Sequence, residues 1–178
     1  MSEYSDTELL EMFRNGNNPN YAFNLIVTKY SRKLYYVIRR LVVDHDDTND
    51  ILQNVFIKAW KNLPEFREEA NLYTWLYRIA SNESLTFITS KRKKVMQSMG
   101  DFEIHHASTD MPEGNEIQQK LQKAIHSLPE KQRIVFNMKY YDEMKYEDMS
   151  AILETSVGAL KASYHHAVKK IEEFLTGK

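Results

Sequence analysis

The stretch LYTWLYRIASNESLTFITSKRKK, residues 72–94, sets Tyr73, Trp75, Tyr77 and Phe87 on about six turns of helix and closes on Lys91, Arg92, Lys93 and Lys94. Leu72, Leu76, Ile79 and Ala80 recur at three- and four-residue spacing, which predicts a helix with one apolar stripe turned to a core. Tyr73 and Tyr77, four apart, are expected beside that stripe rather than under it. Aromatic faces next to cations suit unpaired nucleic acid, which offers bases to stack and phosphates to neutralise. A plain core with a solvated basic helix end accounts for the same residues, since cations also suit the negative end of a helix dipole. The rest of the chain separates the two readings.

The chain has 178 residues, 42% of them hydrophobic, enough for one packed domain or two small ones. Five Gly, four Pro and little two-residue alternation point to an all-α protein. There is no Cys, which excludes disulfides, thiolate metal sites and a Cys nucleophile. The N-terminus MSEYSDTELLEMF is acidic with no apolar run of signal length, and no segment approaches the roughly 18 consecutive apolar residues of a membrane span. A cytoplasmic protein is expected. The net charge of −1 is poor for a free-standing nucleic-acid binder, but it is unevenly spread. Residues 72–94 carry five cations against Glu83 alone, a net of +4. Residues 95–119 carry Asp101, Glu103, Asp110, Glu113 and Glu116 with no Lys or Arg, which reads as a boundary or tether.

Upstream, residues 7–14 form a short amphipathic helix with Leu9, Leu10 and Phe13, and NGNNPN at 15–20 is a turn. A long helix follows over 21–43, its face marked by Val27, Tyr30, Leu34, Val37 and Leu41. The acidic run 44–50 suits the start of the next helix, where free N–H groups favour carboxylates; Asp44, His45, Asp46 and Asp47 could otherwise be metal ligands, but no second ligand cluster accompanies them. That helix, 49–63, has two apolar rows: Ile51, Val55 and Ala59, then Leu52, Phe56, Trp60 and Leu63. So broad a surface is either buried between neighbours or kept for a partner protein. Pro64 stops the helix, and a loop over 64–71 carries Phe66 and Arg67 to Asn71, an N-cap for the helix quoted above.

After a linker at 95–115, where His105 and His106 stand side by side without converging on an ion, a second unit begins near Glu116. Ile117, Leu121, Ile125 and Leu128 define its first helix, ended by Pro129; residues 130–141 form the next. Residues 146–175 read as a short helix, a turn near 154–156 and a long helix capped by Thr155 or Ser156. Its buried row is Val157, Leu160, Tyr164, Val168, Ile171 and Leu175; Lys161, His165 and Lys169 face away, adjoined by Ala162 and His166. This is helix-turn-helix geometry, with an outer row fit for a major groove, or an ordinary hairpin with a wet basic face.

Two blocks resemble one family. DDTNDILQNVFIKAWKNLPEFREEANLYTWLYRIASNESLTFITSKRKK (46–94) resembles the second conserved region of bacterial sigma factors, and LPEKQRIVFNMKYYDEMKYEDMSAILETSVGALKASYHHAVKKI (128–171) the fourth. With only a short linker between them, this is the arrangement of the extracytoplasmic-function (ECF) sigma factors. The resemblance implies region two over 1–94, a flexible acidic linker over 95–115 and region four over 116–178. It implies binding to core RNA polymerase through Asp50, Gln53, Asn54, Phe56 and Lys58. It places the −10 element of promoter DNA on Phe66, Arg67, Asn71, Tyr73, Trp75, Arg78 and Asn82, with Phe66 and Asn82 lining a pocket for a flipped base. It places the −35 element on Lys139, Ser156, Lys161, Ala162, His165, His166 and Lys169. It also implies an anti-sigma factor, often membrane-bound in the family, that wedges between the DNA-binding units. The chain departs from Arg-rich relatives at 161–166, so base readout there is expected to be weaker or different. Glu154 occupies a turn position where Gly is common.

A plain helix-turn-helix regulator leaves the aromatic–basic helix unexplained. An enzyme finds no phosphate-cradling glycine motif and no acid–base pair. No metal, cofactor or small-molecule substrate is expected.

Overall fold

The computed structural model describes residues 4–98 and 115–177, and their contacts divide the chain into two units, 1–87 and 88–178. Both are helical; among the described residues there are eight α-helices and no strand. Most of the linker, 99–114, including His105 and His106, lies outside the described residues.

In the first unit α1 (Asp6–Asn15) begins with a capping box made by Ser5 and Glu8, three positions apart: Glu8 N donates to Ser5 Oγ at 3.2 Å while Ser5 N donates to the Glu8 carboxylate at 2.7 Å. The Ser5 hydroxyl, which donates to the Glu8 carboxylate at 2.7 Å, and the Ser5 N–H together hold the exposed Glu8 carboxyl below its ordinary value. Gly16 ends α1 where a Cβ would stand 2.2 Å from the Met12 carbonyl oxygen, so the chain turns there only without a side chain. Helix α2 (Pro19–Val42) starts on Asn18, with Pro19 at a position that has no N–H to waste. Helix α3 (His45–Asn62) begins four residues before its expected start, because Asp44 caps it: the side chain accepts from Asp47 N at 2.9 Å. A turn of 3-10 helix, Leu63–Glu65, leads through the loop to α4 (Leu72–Ser98). Asn71 caps α4, accepting from Thr74 N at 2.7 Å.

The core of this unit gathers Leu9, Ile26, Leu34, Val55, Leu63 and Leu76, each worth about 1.5–3 kcal/mol when fully buried. Two expectations are corrected here. Tyr77 is 1% exposed and lies in the core, not beside it. Thr74, Ser81 and Ser84 are buried too, so the buried face of α4 is wider than its apolar stripe. Residues 95–98, read as linker from composition, continue α4, and Lys91, Arg92, Lys93 and Lys94 lie within the helix rather than at its end.

The second unit holds α5 (Glu116–His126), α6 (Glu130–Tyr140), α7 (Tyr146–Leu153) and α8 (Val157–Thr176), with Ala124, Ile125, Leu128, Phe136, Ala167 and Ile171 at its core. Ile117, expected in that core, is 76% exposed. The packing of α5 is made by its later residues, and Lys120 Nζ donates to the Leu175 carbonyl oxygen at 2.8 Å. Glu154 is left-handed at φ 51° and ψ 41°, and Ser156 rather than Thr155 caps α8, accepting from Ala159 N at 3.3 Å.

Candidate nucleic-acid and polymerase interfaces

Helix α4 and its loop bring together part of the residue set expected at the −10 element. Asn71, Trp75, Arg78 and Asn82 fall at intervals of four, three and four, so they share one helical face. Arg78 and Asn82 are exposed, and Trp75 is half-buried. Phe66 is 7% exposed and packs on Trp75 with ring centroids 5.0 Å apart. It therefore forms the floor beneath this face, while Arg67 beside it is exposed. The loop is tied down by Arg14 of α1, which donates to the Phe66 carbonyl oxygen and holds the Glu68 carboxylate at 2.5 Å.

Tyr73 is not with them. It is two positions before Trp75, about 200° round the helix, and stacks on Tyr30 of α2 at 5.8 Å. Its ring also meets Tyr77 edge-on at 5.9 Å, and Lys33 Nζ lies 5.7 Å from its centroid. The Tyr30 hydroxyl donates to Asp6 at 2.5 Å; burial and that contact raise the Tyr30 phenol well above its ordinary value.

On α3, Asp50, Gln53 and Asn54 are exposed, and Phe56 is half-buried. Lys58 is engaged with Glu83 of α4 at 2.5 Å. The broad apolar surface read from the sequence is only partly consumed by packing. Trp60, 37% exposed, stands edge-on to Phe13 and Phe23 at 5.4 and 5.1 Å. With Ile57, which belongs to neither apolar row of the sequence pattern, it borders an open cleft also lined by Phe23, Val27, Gln53 and Phe56.

In the second unit Ala162, His165, His166 and Lys169 are exposed on α8, at spacings that make one face. Lys169 Nζ lies 3.9 Å from Glu173. Lys139 and Lys161 converge on a residue that sequence reasoning does not single out. Lys139 Nζ lies 5.1 Å and Lys161 Nζ 5.7 Å from the centre of the Tyr146 ring. Lys139 also donates to the Met144 carbonyl oxygen at 3.2 Å. The only signal in the sequence is a tyrosine a few positions after a predicted phosphate-binding lysine, and α7 carries it. Below this face Tyr164 stacks on Phe136 at 5.8 Å, and burial raises its phenol.

Among the described residues no three His, Asp or Glu side chains gather to hold a metal ion, and no helix is long and apolar enough to cross a membrane.

Two family models match. Sigma-70 region 2 covers residues 26–94, and Sigma-70, region 4 covers 118–171. The "ECF RNA polymerase sigma-E factor" of Escherichia coli K12 is 32% identical over 185 residues, spanning 97% of this chain and 95% of that protein. Its counterpart in Haemophilus influenzae is 29% identical over 182 residues, spanning 96% and 95%. The sigma factor RpoE from Bartonella quintana, solved in complex with the anti-sigma factor NepR, has a similar fold: TM-score 0.73 and 26% identity, over 86% of this chain and 96% of that one.

Proposed function

Since the chain belongs to the extracytoplasmic-function (ECF) RNA polymerase sigma factors, which direct core RNA polymerase to promoters, we propose that its two helical units divide promoter recognition between them. Residues 1–94 bind core polymerase and open the −10 element. The chain after α4 joins them to 116–178, which read the −35 element.

The supporting observation is where the exposed polar faces fall. Arg78 and Asn82, above the Phe66–Trp75 pair, lie within the region 2 match. Lys161, Ala162, His165, His166 and Lys169 lie on the face of α8 opposite its buried row, within the region 4 match. Extruding a base from the duplex costs a few kcal/mol, recovered by stacking and by hydrogen bonds to the base edge. Asn82 supplies an amide for the edge, Trp75 an aromatic rim and Arg78 a cation for the strand. Phe66 gives the rim its backing, and Asn71 presets the first turn of α4. On α3, Asp50, Gln53, Asn54 and Phe56 meet polymerase, with Trp60 and Ile57 beside them as apolar anchors.

The chain is read as a non-enzymatic, cytoplasmic subunit that borrows affinity from polymerase; alone, it binds DNA weakly and with strong salt dependence. An anti-sigma factor holds it inactive, as the complex with the Bartonella quintana relative suggests by analogy.

The test is co-elution of the purified chain with core RNA polymerase on a sizing column, followed by transcription from a promoter library with the joint peak. Joint elution with selective initiation is expected. Separate elution, with sequence-specific DNA binding by the chain alone, would overturn the division of labour.

A further inference from the structure

Helix α2 carries Lys29, Arg32, Lys33, Arg39 and Arg40 and not one Asp or Glu, in a chain whose net charge is −1. Its buried side is taken by Ala22, Ile26, Leu34, Val37 and Leu41. At 100° per residue Arg32 and Arg39 fall on the stripe opposite that side, Lys29 and Tyr36, the latter 50% exposed, stand next to them, and Lys33 and Arg40 lie at the border of the buried side. Lys29 is committed within the fold: its Nζ donates to Asp6 at 2.9 Å and to the Tyr4 carbonyl oxygen at 2.8 Å. Arg32 and Lys33 are exposed, and among the described residues neither pairs with a carboxylate. Lys33 sits at the edge of the stripe, over Tyr73 of α4.

Folding alone does not call for such a stripe, since like charges on successive turns repel by a few tenths of a kcal/mol per pair. An unpaired strand does call for it. Bases stacked on aromatic rings bring their phosphates with them, and those phosphates need cations close by. The first five turns of α4 cannot meet that need. Between positions 72 and 90 Arg78 is the single cation, for a strand that carries a phosphate at every nucleotide, and the next cation is Lys91. We propose that the Arg32–Lys33–Tyr36 face of α2 is a second contact surface for unpaired promoter DNA, with the two cations on phosphates and Tyr36 offering a ring to a base. This rests on the reading of the first unit as the one that handles the opened strand. Phosphate contact and ring stacking are both indifferent to sequence.

The experiment measures anisotropy of a fluorescein-labelled, mixed-sequence 20-nucleotide single strand, and of its duplex, against the full chain bound to core polymerase, over a salt series. For Arg32→Ala with Lys33→Ala, the log–log salt slope on the single strand should fall by about 1.4, or 0.7 for each phosphate charge released. Arg32→Lys with Lys33→Arg should restore it. Asn82→Ala, run alongside, should lower affinity and leave the slope unchanged. An unchanged slope in the double alanine variant overturns the proposal, as does a loss on the duplex alone. So does weakened binding to core polymerase with the DNA slope intact, which would make this a protein-facing surface. If Asn82→Ala has no effect while the α2 variant lowers the slope, the α4 reading fails and this one stands. Circular dichroism melting of each variant checks that the fold is retained.

Discussion

Arg14 and Phe66, 52 positions apart, are joined by a hydrogen bond from the Arg14 guanidinium to the Phe66 carbonyl oxygen, and the same guanidinium holds Glu68 at 2.5 Å. One side chain from α1 thus sets the path of the loop that delivers Phe66 to Trp75. Glu68 adopts φ 58°, a left-handed conformation that a non-glycine residue keeps only when something holds it. Arg14→Ala should therefore cost about 1–2 kcal/mol, the scale of hydrogen bonds to a charged group reduced for partial exposure. Guanidinium unfolding of the full chain measures it. Promoter opening should fall with it, because the floor under Trp75 loosens; in vitro initiation by the variant holoenzyme checks that.

The Tyr30 phenol is buried against Asp6, and its folded value is raised above the ordinary 10.0. A raised value means the fold holds this proton more tightly than the unfolded chain does. The contribution is complete below pH 10, begins to be lost as pH rises past it, and is gone above the folded value. Stability measured from about pH 8 to pH 11.5 should decline above 10, and Tyr30→Phe should flatten that decline.

Glu154 is exposed and left-handed at the turn between α7 and α8. A side chain in that conformation is strained, so Glu154→Gly should raise the stability of the full chain by about 0.5–1 kcal/mol. Thermal unfolding followed at 222 nm shows whether the midpoint rises; a fall would mean the Glu154 side chain is engaged more strongly than its backbone is strained.

Lys161→Ala and Lys169→Ala should weaken binding to duplex −35 DNA across all sequences and lower its salt slope, by about 0.9 for each phosphate no longer neutralised. Lys161 is the stronger case, because its ammonium is positioned over Tyr146 whereas Lys169 is drawn toward Glu173. Electrophoretic mobility shifts over a salt series, with matched and scrambled −35 sequences, separate this uniform weakening from a change in base preference.

The helices were legible from their periodic apolar faces, and three of them also from a capping residue: Asn71 ahead of α4, Asp44 at the acidic run and Ser156 ahead of α8. What the sequence hid was tertiary. Tyr77 looks like a surface ring by spacing, yet α4 is enclosed on more than its apolar stripe, with Ser81 and Ser84 buried alongside it. Tyr73 and Trp75 are near neighbours along the chain, but two residues of helix put them on different faces, one against α2 and the other over Phe66. Tyr146 could not be picked out, since Lys139 and Lys161 meet over it only once α6, α7 and α8 are packed. The basic side of α2 is plain in its composition, but only the fold shows which of its cations stay uncommitted: Lys29 is tied to Asp6, while Arg32 and Lys33 stay exposed.

Whether the face of α4 above Phe66 and Trp75 takes a base out of the −10 element is tested most directly by permanganate footprinting of thymines in a promoter the holoenzyme uses. Wild-type holoenzyme should make the −10 thymines reactive. Asn82→Ala should leave the −35 duplex protected and lose most of that reactivity, on the order of the tenfold that follows from losing about 1.4 kcal/mol of binding to a base. Equal reactivity in both, at equal occupancy, would contradict the account.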